Sequence, residues 1–401
     1  MRKQFDNDHF QFGFELALGA AYRQGSDAGE VLTTLDRVID GDSDSWVREW
    51  TTTAERLQAF ASEAETEGHE ISGLAYHRRA ATYFSTALYC FSGTTDPSHE
   101  REFELWRRHR ASWERVVDLM GGERVSIPYE QTTLPGFFFR APGAEPGESR
   151  PLVIINNGSD GATSSMWGEG GAGAAERGYH WMTFDGPGQQ ATLFEQGIHF
   201  RPDWEAVLTP VLDTMLARPD VERDHVAVIG LSQAGFWVPR AICFEHRFAA
   251  AVADTGVVDV SAGWLSQLSE DMRELLRDHR REEFDGQLKA IVDEMPAVKA
   301  TLEFRGRPYG AGADSFYDLF QTVADYRLGS EVANITTPLL ITDPEDEHFF
   351  PGQPQQLYDL VECPKDIVRF KANEGANGHC EPMARSLRDT RIFDWLDKYL
   401  E

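Results

Sequence analysis

The residues best suited to chemistry fall in three short strings. The first, Val226 to Gly235, reads V-A-V-I-G-L-S-Q-A-G, an apolar run leading into G-x-S-x-x-G around Ser232. A serine hydroxyl is a weak nucleophile at neutral pH. It needs a base to take its proton and a carboxylate to orient that base. The second string, Asp343 to Pro351, is D-P-E-D-E-H-F-F-P, and the third, Glu374 to Cys380, is E-G-A-N-G-H-C. Serine, then acid, then histidine is the chain order in which one large class of αβ enzymes carries such a relay. The chemistry indicated is acyl transfer through a covalent acyl-serine.

Asp346 is assigned as the acid and His379 as the base. Asp343 is a rival acid, placed at a strand end where such a loop usually has Gly. His348 precedes the last strand and reads as pocket wall or loop structure. Cys380 lacks any nucleophile turn around it and reads as a small buried residue. The small residues near Ser232 have a physical reason: a serine on a tight strand-to-helix turn leaves no room for bulky neighbours. That turn puts the backbone N–H of Gln233 at a helix start, where it can stabilise an oxyanion. A second donor is expected from the glycine-bearing loop Asn156 to Gly161, at Gly158, Ser159 or Asp160. Asp185-Gly186-Pro187-Gly188-Gln189 reads as a structural turn.

These residues need a frame. From about Gln11 to Gly121 the apolar residues recur at helical spacing, as in Val31, Leu35, Val38 and Ile39, or Ala81, Phe84, Leu88 and Phe91. Breakers such as Gly41 to Asp44 and Thr94 to Pro97 separate the stretches. The aromatics Trp46, Trp50, Tyr83, Phe84, Tyr89, Trp106 and Trp113 read as helix-packing core, with a pocket lining as the sharper alternative. After Gly122 the texture changes to an expected hairpin, Arg124 to Tyr129 and Thr133 to Arg140. Apolar runs then alternate with helical stretches: Leu152 to Ile155, Tyr179 to Phe184, His225 to Ile229, Ala249 to Ala253, Leu339 to Thr342 and Ile367 to Phe370. This alternation predicts an α/β fold, a mostly parallel sheet with helices on both faces. The expected division is a helical N-terminal domain over 1–121 and a catalytic domain over 122–401. A helical cap is expected at about 260–334, with helices Ser266 to Arg281 and Phe284 to Ala297 and a Gly-rich stretch Arg305 to Gly312.

Composition bounds the partners. The chain has 401 residues, 41% hydrophobic and 26% charged, with a formal net charge of −28. Such a field repels phosphate backbones and anionic headgroups, which disfavours nucleic acid and membrane surfaces and leaves a small molecule as the expected partner. Four cysteines without CxxC spacing suggest neither a zinc site nor a disulfide framework. The first residues lack a signal-type apolar core and no run approaches the ~18 apolar residues of a membrane span, so a cytoplasmic protein is expected. A homodimer through the helical region is a further expectation.

Four strings taken together, F-D-G-P-G-Q (Phe184 to Gln189), R-P-D-W-E (Arg201 to Glu205), G-L-S-Q-A-G and G-H-C-E-P (Gly378 to Pro382), resemble the α/β-hydrolases related to 2,6-dihydroxypseudooxynicotine hydrolase. Fungal polyketide-shortening hydrolases and fermentation-respiration-switch-type esterases look similar too. The resemblance covers about 123–400, and the helical N-terminal region also looks like theirs. It implies the α/β-hydrolase fold, a Ser232-Asp346-His379 triad, and no metal or organic cofactor. It also implies hydrolysis of a C–C bond beside a ketone, or of an ester, in an aromatic or polyketide substrate. An extra acidic residue functions in the early cap of some relatives; Asp254 and Asp259 lie in that region, and neither matches a motif. An acyltransferase, cyclase or lyase would use the same triad. A non-catalytic binding protein would be expected to have lost part of it.

Overall fold

The computed structural model describes residues 3–311 and 315–401. Strands β1 (Glu123–Tyr129), β2 (Thr132–Phe139), β3 (Arg150–Asn156), β4 (His180–Phe184), β5 (Val221–Leu231), β6 (Ala250–Asp254), β7 (Leu339–Pro344) and β8 (Lys365–Phe370) form one sheet in the order β1-β2-β4-β3-β5-β6-β7-β8. The β1–β2 and β2–β4 pairs are antiparallel, and every other pair is parallel. The central strands are buried on both faces, which explains their continuous apolar runs.

Two clusters sandwich the sheet. One joins Trp204, Leu208, Leu212, Phe236 and Trp237 to the inner residues of β3 and β5. The other joins Trp113, Val116 and Val117, from the helix His99–Leu119, to Phe137, Phe139 and Trp181. The preceding helices keep a cluster of their own around Phe10, Trp46, Trp50 and Phe84. Trp46, Trp50, Tyr83, Phe84, Trp106 and Trp113 are all buried packing residues, whereas Tyr89 lines the central cavity.

Between β6 and β7 the helices differ from the expected pair. The stretch read as Ser266 to Arg281 is helical over Glu270–Arg277, where the Ser269 side chain caps the start by accepting from the Met272 N–H, and a separate short helix, Ser261–Leu265, precedes it. The stretch read as Phe284 to Ala297 begins earlier, at Arg281–Asp293. A new helix, Pro296–Gly306, then starts on a proline in its first turn. Much of the expected Gly-rich stretch is thus helix followed by the 3₁₀ turn Arg307–Tyr309; Gly312 lies outside the described residues.

Candidate active site

Strand β5 ends at Leu231, and the helix Ala234–Ile242 begins three residues on. Ser232 between them has φ +55°, a left-handed conformation that costs a non-glycine residue strain and lifts its side chain off the sheet edge. The glycines flanking it are dictated by close approach. A Cβ at Gly230 would stand 2.4 Å from the Ala234 carbonyl oxygen, and one at Gly235 would stand 1.7 Å from that of Thr255. The Ser232 N–H donates to the Asp254 carbonyl at 2.5 Å, tying the turn to the end of β6.

His379 reaches this serine from the loop after β8. Its Nε2 is 2.8 Å from Ser232 Oγ, and its Nδ1 is 2.6 Å from Oε2 of Glu347. Glu347 is buried, and its other oxygen, Oε1, accepts from the Phe349 and Phe350 N–H groups. Asp346 is not at this site. It is exposed, accepts from Asn377 Nδ2, and its N–H donates to the Asn377 carbonyl, all on the outer side of the loop. Asp343 is within β7, where the parallel register sets it beside Arg369 of β8 and its carboxylate pairs with that guanidinium at 3.2 Å. The acid loop therefore turns one residue later than the spacing predicts. The longer glutamate side chain spans the difference.

The electrostatics suit a proton relay. Burial alone would raise the Glu347 carboxyl, but the His379 imidazole and the two backbone donors outweigh it and hold the pKa below the ordinary value. Burial disfavours a charged His379. The Glu347 carboxylate, with Asp254 and Asp160 farther away, reverses that and raises its pKa. His348 is pushed down by its own burial; it lines the cavity with its ring 6.3 Å from that of His379. Cys380 is part-exposed to the cavity rather than fully buried, and its thiol donates to the Asp254 carbonyl at 3.4 Å.

The expected oxyanion loop lies under the serine. A Cβ on Gly158 would meet Ser232 Cβ at 2.8 Å, so only glycine permits this approach. The Gly158 N–H, however, already donates to Asn157 Oδ1 at 2.8 Å. That engages the Gly158 N–H within its own loop, while Ser159 and Asp160, like Gln233, line the cavity. The turn after β4 braces this loop: Gln189 Nε2 donates to the carbonyls of Asn157 and Gly158 at 2.7 and 2.6 Å, and its Oε1 accepts from the Gly186 N–H. Asp185 in the same turn is fully buried and paired with Arg110, locking the helix His99–Leu119 to the sheet edge. Asp254 lies beneath the site, ion-paired with the buried Arg388 at 2.5 Å, whereas Asp259 faces the cavity.

Ser232 and His379 open into a cavity of about 1340 Å³. One side is walled by the helix Asp8–Gly19, whose Phe12 ring is 6.2 Å from that of His379, and by the helix Glu70–Tyr89. The other side is walled by the segment between β6 and β7, including Trp264, Met272, Leu288 and Val292. Among the described residues no group of His, Cys, Asp and Glu could hold a metal ion.

A mostly parallel sheet that carries a strained serine between strand and helix, with a histidine against it, defines the α/β-hydrolase class. The chain belongs to the α/β-hydrolase family: it is 30% identical over 300 residues, 66% of its length and 68% of the relative's, to the hydrolyase ccsE of Aspergillus clavatus. It is 28% identical over 426 residues, 99% of this chain and 98% of the relative, to the 20-hydroxy-prefusarin hydrolase FUS2 of Gibberella moniliformis. Among solved structures it is similar in fold to 2,6-dihydroxy-pseudo-oxynicotine hydrolase, with a TM-score of 0.73 and 19% identity over 95% of each chain. No family model matches the chain. Among the described residues, no helix is long and apolar enough to cross a membrane.

Proposed function

We propose that this protein is a serine hydrolase in which Ser232 is the nucleophile, His379 the general base and Glu347 the acid. Its substrate is a bulky, largely apolar carbonyl compound of aromatic or polyketide type, cleaved at an ester or at a C–C bond beside a ketone. The observation that carries this reading is the continuous relay from Glu347 through His379 to Ser232, opening into a cavity large enough for a many-ringed or long-chain molecule. The relative FUS2, a 20-hydroxy-prefusarin hydrolase, supports the class of substrate and not an identical compound.

In this reading His379 Nε2 takes the proton of Ser232 as Oγ attacks the carbonyl carbon, and Glu347 stabilises the imidazolium so formed. The N–H of Gln233, with that of Ser159 or Asp160, receives the charge developing on the carbonyl oxygen. The imidazolium then protonates the leaving group, and water admitted to the site releases the acyl group by the reverse sequence. The chain divides into a helical region over 1–121 and a catalytic region over 122–401 whose cap, at about 260–334, closes the cavity. Exposed Leu32, Ile39, Phe60 and Ile71 support a homodimer through the helical region, to be checked by light scattering. Four unpaired cysteines support a reducing, cytoplasmic setting.

Ser232→Ala tests the function. The variant should fold normally and lose turnover of an activated acyl ester as well as fluorophosphonate labelling. Retention of either sinks the nucleophile assignment. Mass spectrometry of the products then separates hydrolysis, which yields a free acid, from acyl transfer or cyclisation, which does not.

A further inference from the structure

Among the described residues the buried arginines are neutralised, with one exception. Arg110 pairs with Asp185, Arg385 with Glu169 at 2.6 Å, and Arg388 with Asp254 at 2.5 Å. Arg78 is as buried as Arg110, 8% exposed, and has no carboxylate within ion-pair distance among the described residues. Its Nη2 reaches the thioether of Met120 at 3.5 Å, a weak acceptor, and its Nε has no hydrogen-bond partner among those residues. The guanidinium lies over the Trp167 ring, 4.8 Å from the centroid. Burial, unopposed by any neighbouring carboxylate, pushes its pKa down to about 10, so it remains charged at neutral pH.

An unpaired buried charge is costly, and a chain of net charge −28 has carboxylates to spare for it. Arg78 instead lines the cavity that holds Ser232. The helix Glu70–Tyr89 runs along one wall: Tyr89 stands at the catalytic end, 6.2 Å from the Phe12 ring that adjoins His379, and Arg78 lies roughly 16 Å further along the axis at 1.5 Å per residue. Thr82, Ser85, Thr86 and Ser165 line the same cavity together with Ala17, Ala20 and Met166, and the segment between β6 and β7 adds Met272, Leu288 and Val292 to the lining.

We propose that Arg78 is a binding site for a carboxylate on the substrate, remote from the scissile carbonyl, so that the substrate is an amphipathic carbonyl acid. Its apolar part lies under the cap and its anionic end reaches Arg78. The planar fork of one guanidinium matches a single carboxylate in charge and geometry, whereas a phosphate dianion would leave charge uncompensated. The proposal rests on the hydrolase reading in taking that acid to be the substrate of Ser232.

The test uses the full chain and two unreactive probes, 8-phenyloctanoate and 8-phenyloctanamide, with affinities measured by calorimetry near pH 7.5. The wild type should bind the acid at least tenfold more tightly than the amide. In Arg78→Met the ratio should fall to within twofold of one, and in Arg78→Lys it should be intermediate. Equal binding of acid and amide by the wild type, or an undiminished ratio in Arg78→Met, would overturn the proposal. If Arg78→Met does not fold, the wild-type and Arg78→Lys ratios decide. Fluorophosphonate labelling of the wild type is scored separately: no labelling with the acid preference intact defeats the hydrolase reading and leaves the anion site, and labelling without the preference does the opposite.

Discussion

Replacing Glu347 by Gln tests the relay atom by atom. Glu347 Oε1 accepts from two backbone N–H groups, those of Phe349 and Phe350. A carboxamide at this position must keep its oxygen there, since turning the NH₂ toward two donors would leave both unpaired in a buried site. The NH₂ group then takes the Oε2 position, 2.6 Å from His379 Nδ1, and donates to it. Nδ1 must become the acceptor, so the proton of the neutral ring moves to Nε2, the atom facing Ser232 Oγ at 2.8 Å. That tautomer cannot take the serine proton. The expected loss in kcat is about 10⁴-fold, the cost of the wrong tautomer in such triads, equivalent to about 5 kcal/mol of barrier.

The pH profile supplies a second readout. His379 must be neutral to act as base, so kcat/KM falls as pH drops through its pKa. Because that pKa is raised in the wild type, the acid limb should lie above the ordinary histidine value. In the Gln variant the carboxylate that raises it is gone while the burial that lowers it remains, so the residual activity should show an acid limb shifted to lower pH. Asp346→Asn is the control, with kcat within about twofold of wild type for an exposed side chain. Stopped-flow or steady-state hydrolysis of a p-nitrophenyl ester measures all three. A hundredfold loss in Asp346→Asn, with half the activity kept in Glu347→Gln, would return the role of acid to Asp346.

Gly235→Ala would drive a Cβ to 1.7 Å from the Thr255 carbonyl oxygen, which is backbone and cannot swing aside. A loss of about 3 kcal/mol or more in urea denaturation is expected, and an unchanged midpoint would show the elbow to be looser than described. Gln189→Leu removes the buried donor shared by the Asn157 and Gly158 carbonyls, so the oxyanion loop should loosen. Its kcat should fall roughly 10- to 100-fold, part of the worth of one oxyanion donor, with KM changed less than threefold; a shift confined to KM would assign Gln189 to substrate binding instead.

Much of the fold was legible because its signals are local. Alternation of short apolar runs with helical stretches requires only the neighbouring residues, and it led to β3 through β8 and to the sheet that holds them. The turn that carries Ser232 was legible for the same reason: the constraint at Gly230 is steric and lies within one strand–turn–helix. The split cap helices were less so, since the Ser269 cap and the Pro296 start punctuate a continuous apolar pattern without interrupting its period.

The carboxylate that meets His379 was not legible. Asp343, Glu345, Asp346 and Glu347 stand within five positions, and each carries a suitable carboxylate. Strand register decides among them. Asp343 is spent on Arg369 because β7 and β8 pair in parallel there, Asp346 is turned outward by its bonds to Asn377, and only Glu347 points inward to His379. The same holds for Gly158, whose N–H is taken by its own neighbour, and for Arg78, whose want of a carboxylate among the described residues can be seen only once the rest of the chain has packed around it. The class of architecture and the strand–turn–helix that carries Ser232 could be read along the chain, because backbone pattern and local sterics are written in adjacent residues. The choice among chemically equivalent carboxylates, donors and cations fell to the folded molecule, because it depends on direction and on distance across the fold.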